Sequence, residues 1–208
     1  HAPGDNISLY ADYPAIRRGI LEHFDSIITA AEQIGARHLT LHVGAHPSLK
    51  KAGEEDDAFL FEYGEYFATV LYENLMHLAG RTRTVMLCLE NFMFTPLTMQ
   101  AVEKTLRASD RLFLTWDIPK TYDGELRRNA SVEEFMVRHA SRIREAHVHD
   151  FIKGHRQHQI IGQGGIDFAP YAAILRNPEI AVTIEVRPRD AATLSRAALL
   201  RVLGIKGQ

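Results

Sequence analysis

His1, His42, Glu90, Asp117, His147 and Glu185 each follow or close a short apolar run, and each can bind a metal ion or carry a proton. A carboxylate at the end of such a run is costly to desolvate unless a cation or hydrogen bonds compensate it. Glu90 closes Met-Leu-Cys-Leu, Asp117 closes Leu-Phe-Leu-Thr-Trp and Glu185 closes Ala-Val-Thr-Ile, so the argument repeats at three separate places and favours ligands over structural ion pairs. His147 and His149 flank Val148 in Ala-His-Val-His-Asp. Alternate residues of a strand share a face, so one can be a ligand and the other its support. His42, in Leu-Thr-Leu-His-Val-Gly, joins the set, with a hydrogen-bonded core histidine as the alternative. His1 is the weakest member, because chain ends fray.

His158 lies in Arg-Gln-His-Gln-Ile-Ile-Gly-Gln-Gly-Gly-Ile-Asp, a loop whose glycines allow backbone to approach a ligand closely; a tight turn before a helix is the other reading. Gly162, Gly164 and Gly165 do not make a phosphate loop, since no Lys-Ser or Lys-Thr follows them. His23, His38, His46, His77, His139 and His155 fall on helices or in loops and read as surface or structural. The acidic run from Glu54 to Asp57 reads as a solvated helix start.

The elements that must position these groups alternate along the chain. Asp12 and Pro14 start a helix in which Ile16, Ile20, Phe24, Ile27, Ala31 and Ile34 recur at helical spacing until Gly35. A strand follows from His38 to Val43, then a polar loop. A second helix carries Leu60, Tyr63, Phe67, Val70, Leu71, Leu75 and Leu78 on one face and ends at Gly80. Val85 to Glu90 is a strand, Thr98 to Ala108 a short helix, and Leu112 to Asp117 a strand. Ser131 and Glu134 form a capping box for a helix through His139. Ile143 to His149 is strand-like, Pro170 to Leu175 a short helix, Ile180 to Val186 a strand and Ala191 to Leu203 the last helix.

Strands apolar throughout, separated by amphipathic helices, indicate a parallel sheet buried on both faces. An open doubly wound sheet gathers its ligands at one switch point. Here almost every strand ends in a candidate ligand, which is the pattern of a TIM (β/α)8 barrel, whose site is built at the C-terminal ends of several strands. Such a barrel takes about 250 residues, so the first two βα units are expected to lie outside this chain.

Composition narrows the partners. With 208 residues, 46% hydrophobic and 24% charged, positions 1–208 suit a single α/β domain with a full core. A formal charge of −2 creates no basic field, and no Lys/Arg run is interleaved with aromatics, so nucleic acid is not an expected partner. No apolar run reaches the roughly 18 residues of a membrane span, and no signal segment is visible. The lone Cys88 sits in an apolar run as a small core residue, and one cysteine allows no internal disulfide; the cytoplasm is the compartment expected. A small molecule is the simplest partner, and a barrel lacking its first units would expose the edges of its first and last strands, for which a homo-oligomer is the expectation.

The chain resembles the xylose-isomerase-like TIM barrel superfamily, which joins sugar phosphate isomerases and epimerases to the apurinic-site endonucleases (AP endonuclease family 2). The resemblance is carried by His-Ala-Pro at 1 to 3, Leu-His-Val-Gly at 41 to 44, Leu-Glu-Asn at 89 to 91 and Trp-Asp at 116 to 117. It continues through His-Val-His-Asp at 147 to 150, His158 with Ile161-Gly162-Gln163-Gly164, Ile166-Asp167-Phe168, and Ile-Glu at 184 to 185. It implies that Glu90, Asp117, His147 and Glu185 form a shared four-ligand metal site and that His1 ends barrel strand three, so that the chain runs from there through helix eight. His1 and His42 would join Glu90 in a further site.

Two departures separate the branches. The endonucleases' third zinc site needs a His three residues after the strand-end Asp and an Asp two before the glycine-loop His. Here Lys120 and Arg156 stand there, and neither is a zinc ligand while protonated. Epimerase-type relatives often carry the same substrate-holding His, so Lys120 also suggests a changed substrate.

The leading expectation is an isomerase or epimerase acting on a sugar, sugar phosphate or related polyol through an enediolate, with a divalent Mn, Mg, Co or Zn ion as cofactor. By resemblance, Glu90 and Glu185 double as the acid/base pair. Lys120, Arg156 and Arg187 offer positive charge to a phosphate or carboxylate of the substrate, each with an ordinary surface cation as the alternative. Asn91, His149 and His158 complete the expected substrate contacts. A metal-dependent phosphodiesterase resembling an apurinic-site endonuclease is the second expectation, and a non-catalytic barrel that binds a small ligand the third.

Overall fold

Each strand is joined to the next by at least one helix, and each pairing within a unit is parallel, as crossover connections require. A computed structural model of the protein describes residues 1–3, 7–47, 58–154 and 157–205, with the side chains of 58–61 excepted. The chain divides into two compact units, His1–Phe113 and Leu114–Gln208. The acidic run at 54–57 lies outside the described residues.

The first unit contains α1 (Pro14–Gln33), β1 (His38–Leu41), α2 (Ala58–Arg81), β2 (Met86–Glu90) and α3 (Pro96–Ala108). Pro14 opens α1, where its missing N–H costs nothing. Gly35, at φ +72°, ends it in a conformation glycine adopts without penalty. The buried face of α1 is Phe24, Ile28 and Ala31. Ile16 and Ile34 are exposed, so the buried stripe is rotated from the expected one and runs through Ile28 rather than its neighbour Ile27. In α2 the expected Phe67, Val70, Leu71, Leu75 and Leu78 are buried, whereas Tyr63 is partly exposed and the helix continues one residue past Gly80. Strands β1 and β2 pair in the register His38 opposite Met86 and Leu41 opposite Leu89. Residues 1–3 form no strand, but Ala2 N–H donates to Thr40 O at 2.8 Å, which ties the chain's start to β1.

The second unit takes up the end of β3 (Leu112–Asp117), then α4 (Ala130–Arg138), β4 (Ile143–Val148), α5 (Ala172–Leu175), β5 (Ala181–Ile184) and α6 (Arg189–Val202). Asn129 caps α4 by accepting the Val132 N–H at 3.2 Å. The expected Ser131 and Glu134 capping box is therefore replaced by a cap two residues earlier. In this unit β3 pairs with β4 through Asp117 opposite His147, and β4 with β5 through Val148 opposite Ile184. Trp116 is buried edge-on against Tyr171, ring centroids 5.3 Å apart, and its indole N–H donates to Thr121 Oγ1 at 3.0 Å, so its polar group is satisfied. No helix among the described residues is long and apolar enough to cross a membrane.

Candidate metal and substrate site

In the first unit the parallel register places the residues after Leu41 and Leu89, namely His42 and the strand-end Glu90, side by side. His1 Nε2 and His42 Nε2 each lie 3.2 Å from the same oxygen, Glu90 Oε2. The Glu90 side chain is only 3% exposed, and the two imidazoles meet edge to face with centroids 4.8 Å apart. Phe92 packs against the His42 ring at 4.6 Å. Gly44, at φ +79°, must lack a side chain, since a Cβ would collide with the backbone of Ile7. Asn91, next to Glu90, is buried.

In the second unit three neighbouring strands deliver their ends to one place. Asp117 and His147 stand opposite one another in the β3–β4 ladder, and both are buried. His147 lies between two carboxylates: Nδ1 is 3.3 Å from Glu185 Oε1, and Nε2 is 3.4 Å from Glu145 Oε1. Glu145, two residues before His147 and so on the same face of β4, is not among the expected site residues; period-two alternation was the available signal. It also accepts from Thr183 Oγ1 at 2.8 Å. Asp117 Oδ1 accepts the Lys120 N–H at 3.1 Å, and Oδ2 is 3.7 Å from His149 Nε2.

The glycine loop is organised by Asp150, a second residue to which the sequence alone assigns no role. Its fully buried carboxylate accepts four main-chain N–H groups: Phe151 at 2.8 Å and Ile166 at 3.1 Å on Oδ1, Gly162 at 2.8 Å and Gly164 at 2.9 Å on Oδ2. A Cβ on Gly164 would overlap that carboxylate, so the glycine there serves the loop's own anchor. His158 emerges from the loop at φ +62°, its ring tilted over His149 with centroids 4.1 Å apart. His158 Nδ1 donates to the Glu185 carbonyl at 2.9 Å. Desolvation, and then the neighbouring His149, hold the His158 imidazole below its ordinary pKa, which favours the neutral ring.

His158 and Glu185, with Thr183, Ile184, Val186 and Arg187, line a cavity of about 570 Å³. Thus His158, Glu185 and Arg187 share one opening. The Lys120 ammonium bonds the Gln157 side-chain carbonyl, while Arg156 lies outside the described residues. His23 and His77 belong to helices α1 and α2 and His139 follows α4, as expected, whereas His38, expected on a helix or in a loop, opens strand β1; His155 lies outside the described residues.

Whether a divalent cation suits these residues can be judged from the donors. In the first unit two imidazole nitrogens converge on one buried carboxylate oxygen, with all ligand atoms within 4.8 Å of one another. In the second unit a fully buried Asp117 carboxylate adjoins buried imidazoles. Imidazole nitrogen with carboxylate oxygen is a donor set that zinc, manganese and related ions accept. The residues fit such an ion.

Among curated proteins none matches the sequence. The chain is similar to a D-tagatose 3-epimerase-like protein at 18% identity, with a TM-score of 0.71 over 98% of this chain and 76% of that one. It is similar to the TTHB071 protein from Thermus thermophilus, solved after soaking with ZnCl2, at 22% identity and TM-score 0.72, covering 99% and 77% of the two chains. Endonuclease IV from Thermus thermophilus is similar at 13% identity and TM-score 0.61, covering 95% and 72%. At these identities the likeness is one of fold, and the fold is the parallel TIM barrel expected from the strand ends. A family model, Xylose isomerase-like TIM barrel, matches residues 1–203, and the chain belongs to that family.

Proposed function

We propose that this protein is a divalent-metal-dependent isomerase or epimerase of a sugar, sugar phosphate or related polyol. The observation that carries the reading is the meeting of Asp117, His147 and Glu185 at the ends of three consecutive strands, with His147 3.3 Å from the Glu185 carboxylate and the cavity beside it. Asp117, His147 and Glu185 are the proposed metal ligands of the second unit. When bound, the cation supplies positive charge that stabilises negative charge developing on substrate oxygens.

The protein's own groups do the rest. Glu185 is the proposed base: its carboxylate takes the proton from the carbon beside the carbonyl, and a proton returned to carbon forms the product. His158, neutral and donating through Nδ1 to the Glu185 carbonyl, keeps Nε2 as an acceptor for a substrate hydroxyl. Arg187 and Lys120 offer charge to an anionic substrate group. The sugar-processing names among the similar structures support the substrate class, and Lys120 argues against the third site of a three-zinc nuclease.

Proton removal from carbon predicts that the manganese-loaded protein, incubated with a panel of ketoses and ketose phosphates in deuterated water, introduces deuterium beside the carbonyl. Glu185→Gln should abolish that exchange. Full exchange by the variant would remove Glu185 from the site, and no exchange on any member of the panel would count against the reaction class.

The His1, His42 and Glu90 cluster favours one other reading, a metal-dependent phosphodiesterase with a second cation in the first unit. Hydrolysis of a phosphodiester by the loaded protein, lost in His42→Ala, would support it.

A further inference from the structure

We infer that His149 is not a metal ligand but a positioning residue, which presents Nε2–H to the carboxylate of Asp117. The inference deepens the proposed function and rests on it, because positioning Asp117 matters if Asp117 holds the cation. A main-chain N–H can only donate, and the His158 N–H lies 3.0 Å from His149 Nδ1. Nδ1 is therefore the acceptor nitrogen, and a neutral ring must carry its proton on Nε2. The Asp150 carbonyl, 3.2 Å from the same Nδ1, would favour the opposite tautomer. That arrangement would set Nδ1–H against the His158 N–H, proton to proton.

The far side of the ring agrees. Nε2 is fully buried, makes no hydrogen bond among the described residues and faces Asp117 Oδ2 at 3.7 Å. A proton there attracts the carboxylate, whereas a lone pair would repel it. The His158 N–H is held in place by the loop. His158 is left-handed at φ +62°, the loop is fastened by the N–H groups of Gly162, Gly164 and Ile166 on Asp150, and Ile161 N–H donates to Ser195 Oγ of α6 at 3.2 Å. His149, His158 and Glu185 do bring ligand atoms within 4.8 Å of one another. For His149 to use Nε2 as a ligand there, it would have to move its proton to Nδ1 and break the bond from His158. Outer partners of this kind orient ligating carboxylates, and their loss weakens metal binding.

Two readouts test the inference without turnover. Long-range proton–nitrogen NMR of the labelled wild-type protein at neutral pH reports the His149 tautomer directly, and manganese alone titrated into wild type, H149Q and H149M reports affinity. The expected result is protonated Nε2 with bare Nδ1, a loss of about 10–100-fold in manganese affinity in H149M, and recovery of most of it in H149Q, whose amide N–H takes the place of Nε2–H. A proton on Nδ1 in the wild-type protein, or H149M binding manganese as tightly as wild type, would overturn it. A wild-type protein with the expected tautomer that binds no manganese would instead overturn the metal reading, and the positioning role with it.

Discussion

Asp150 shows how much of a loop can rest on one buried carboxylate. Its carboxylate gathers four backbone N–H groups, and replacing one oxygen by an amide N–H₂ would set donor against donor. Asp150→Asn should therefore destabilise the protein by about 1–3 kcal/mol, the cost of leaving buried donors unpaired, and should speed amide exchange of Gly162, Gly164 and Ile166. Unchanged exchange at those three amides would show that the loop does not depend on this anchor. The gathering of Asp117, His147 and Glu185 at neighbouring strand ends was legible in the sequence because a polar group closing an apolar run stands out. Asp150 and Glu145 were not, since a following Asp looks like a turn residue and a mid-strand Glu looks solvent-facing until its neighbours are known. The His149 tautomer lay further out of reach, because it depends on where a loop nine residues later places one N–H.

Among the elements, the strands were the most legible: Leu112–Asp117 has the expected bounds, and the others are shorter than expected by one to three residues. Helix faces were read less well, because a stripe in α1 can be drawn through Ile27 or Ile28, and only packing against α2 decides. Leu75, fully buried on α2, belongs to the face that was read correctly, and Leu75→Ala should cost about 2–5 kcal/mol in denaturant unfolding. Near-zero cost would mean that this face does not form the core. Glu32, near the end of α1, fastens that helix to the approach of β2. Its Oε1 accepts N–H groups of Arg83 at 2.5 Å, Thr84 at 2.9 Å and Val85 at 3.5 Å, and the bonds from Thr84 and then Arg83 hold its carboxyl below the ordinary range. A depressed carboxylate stabilises the fold above its unfolded pKa, and that contribution is lost as pH falls through the lower folded value. Glu32→Gln should thus lower the melting temperature at neutral pH, with the difference shrinking on acidification. A difference that grew in acid would contradict the assignment.

For the molecule as a whole, the barrel was legible from candidate ligands at nearly every strand end, and membership of the family bears the fold out. The reaction was less legible, for a physical reason: the same strand-end carboxylates and imidazoles can hold one cation beside a ketose or several beside a phosphodiester. The near-neutral charge of −2 and the replacement of a potential ligand by Lys120 favour the former. The most direct test of that central claim is metal identity and stoichiometry, by elemental analysis of the purified protein after mild dialysis. About one exchangeable manganese, magnesium or cobalt ion per chain is the predicted result. Two or more tightly held zinc ions would contradict it and favour phosphodiester hydrolysis.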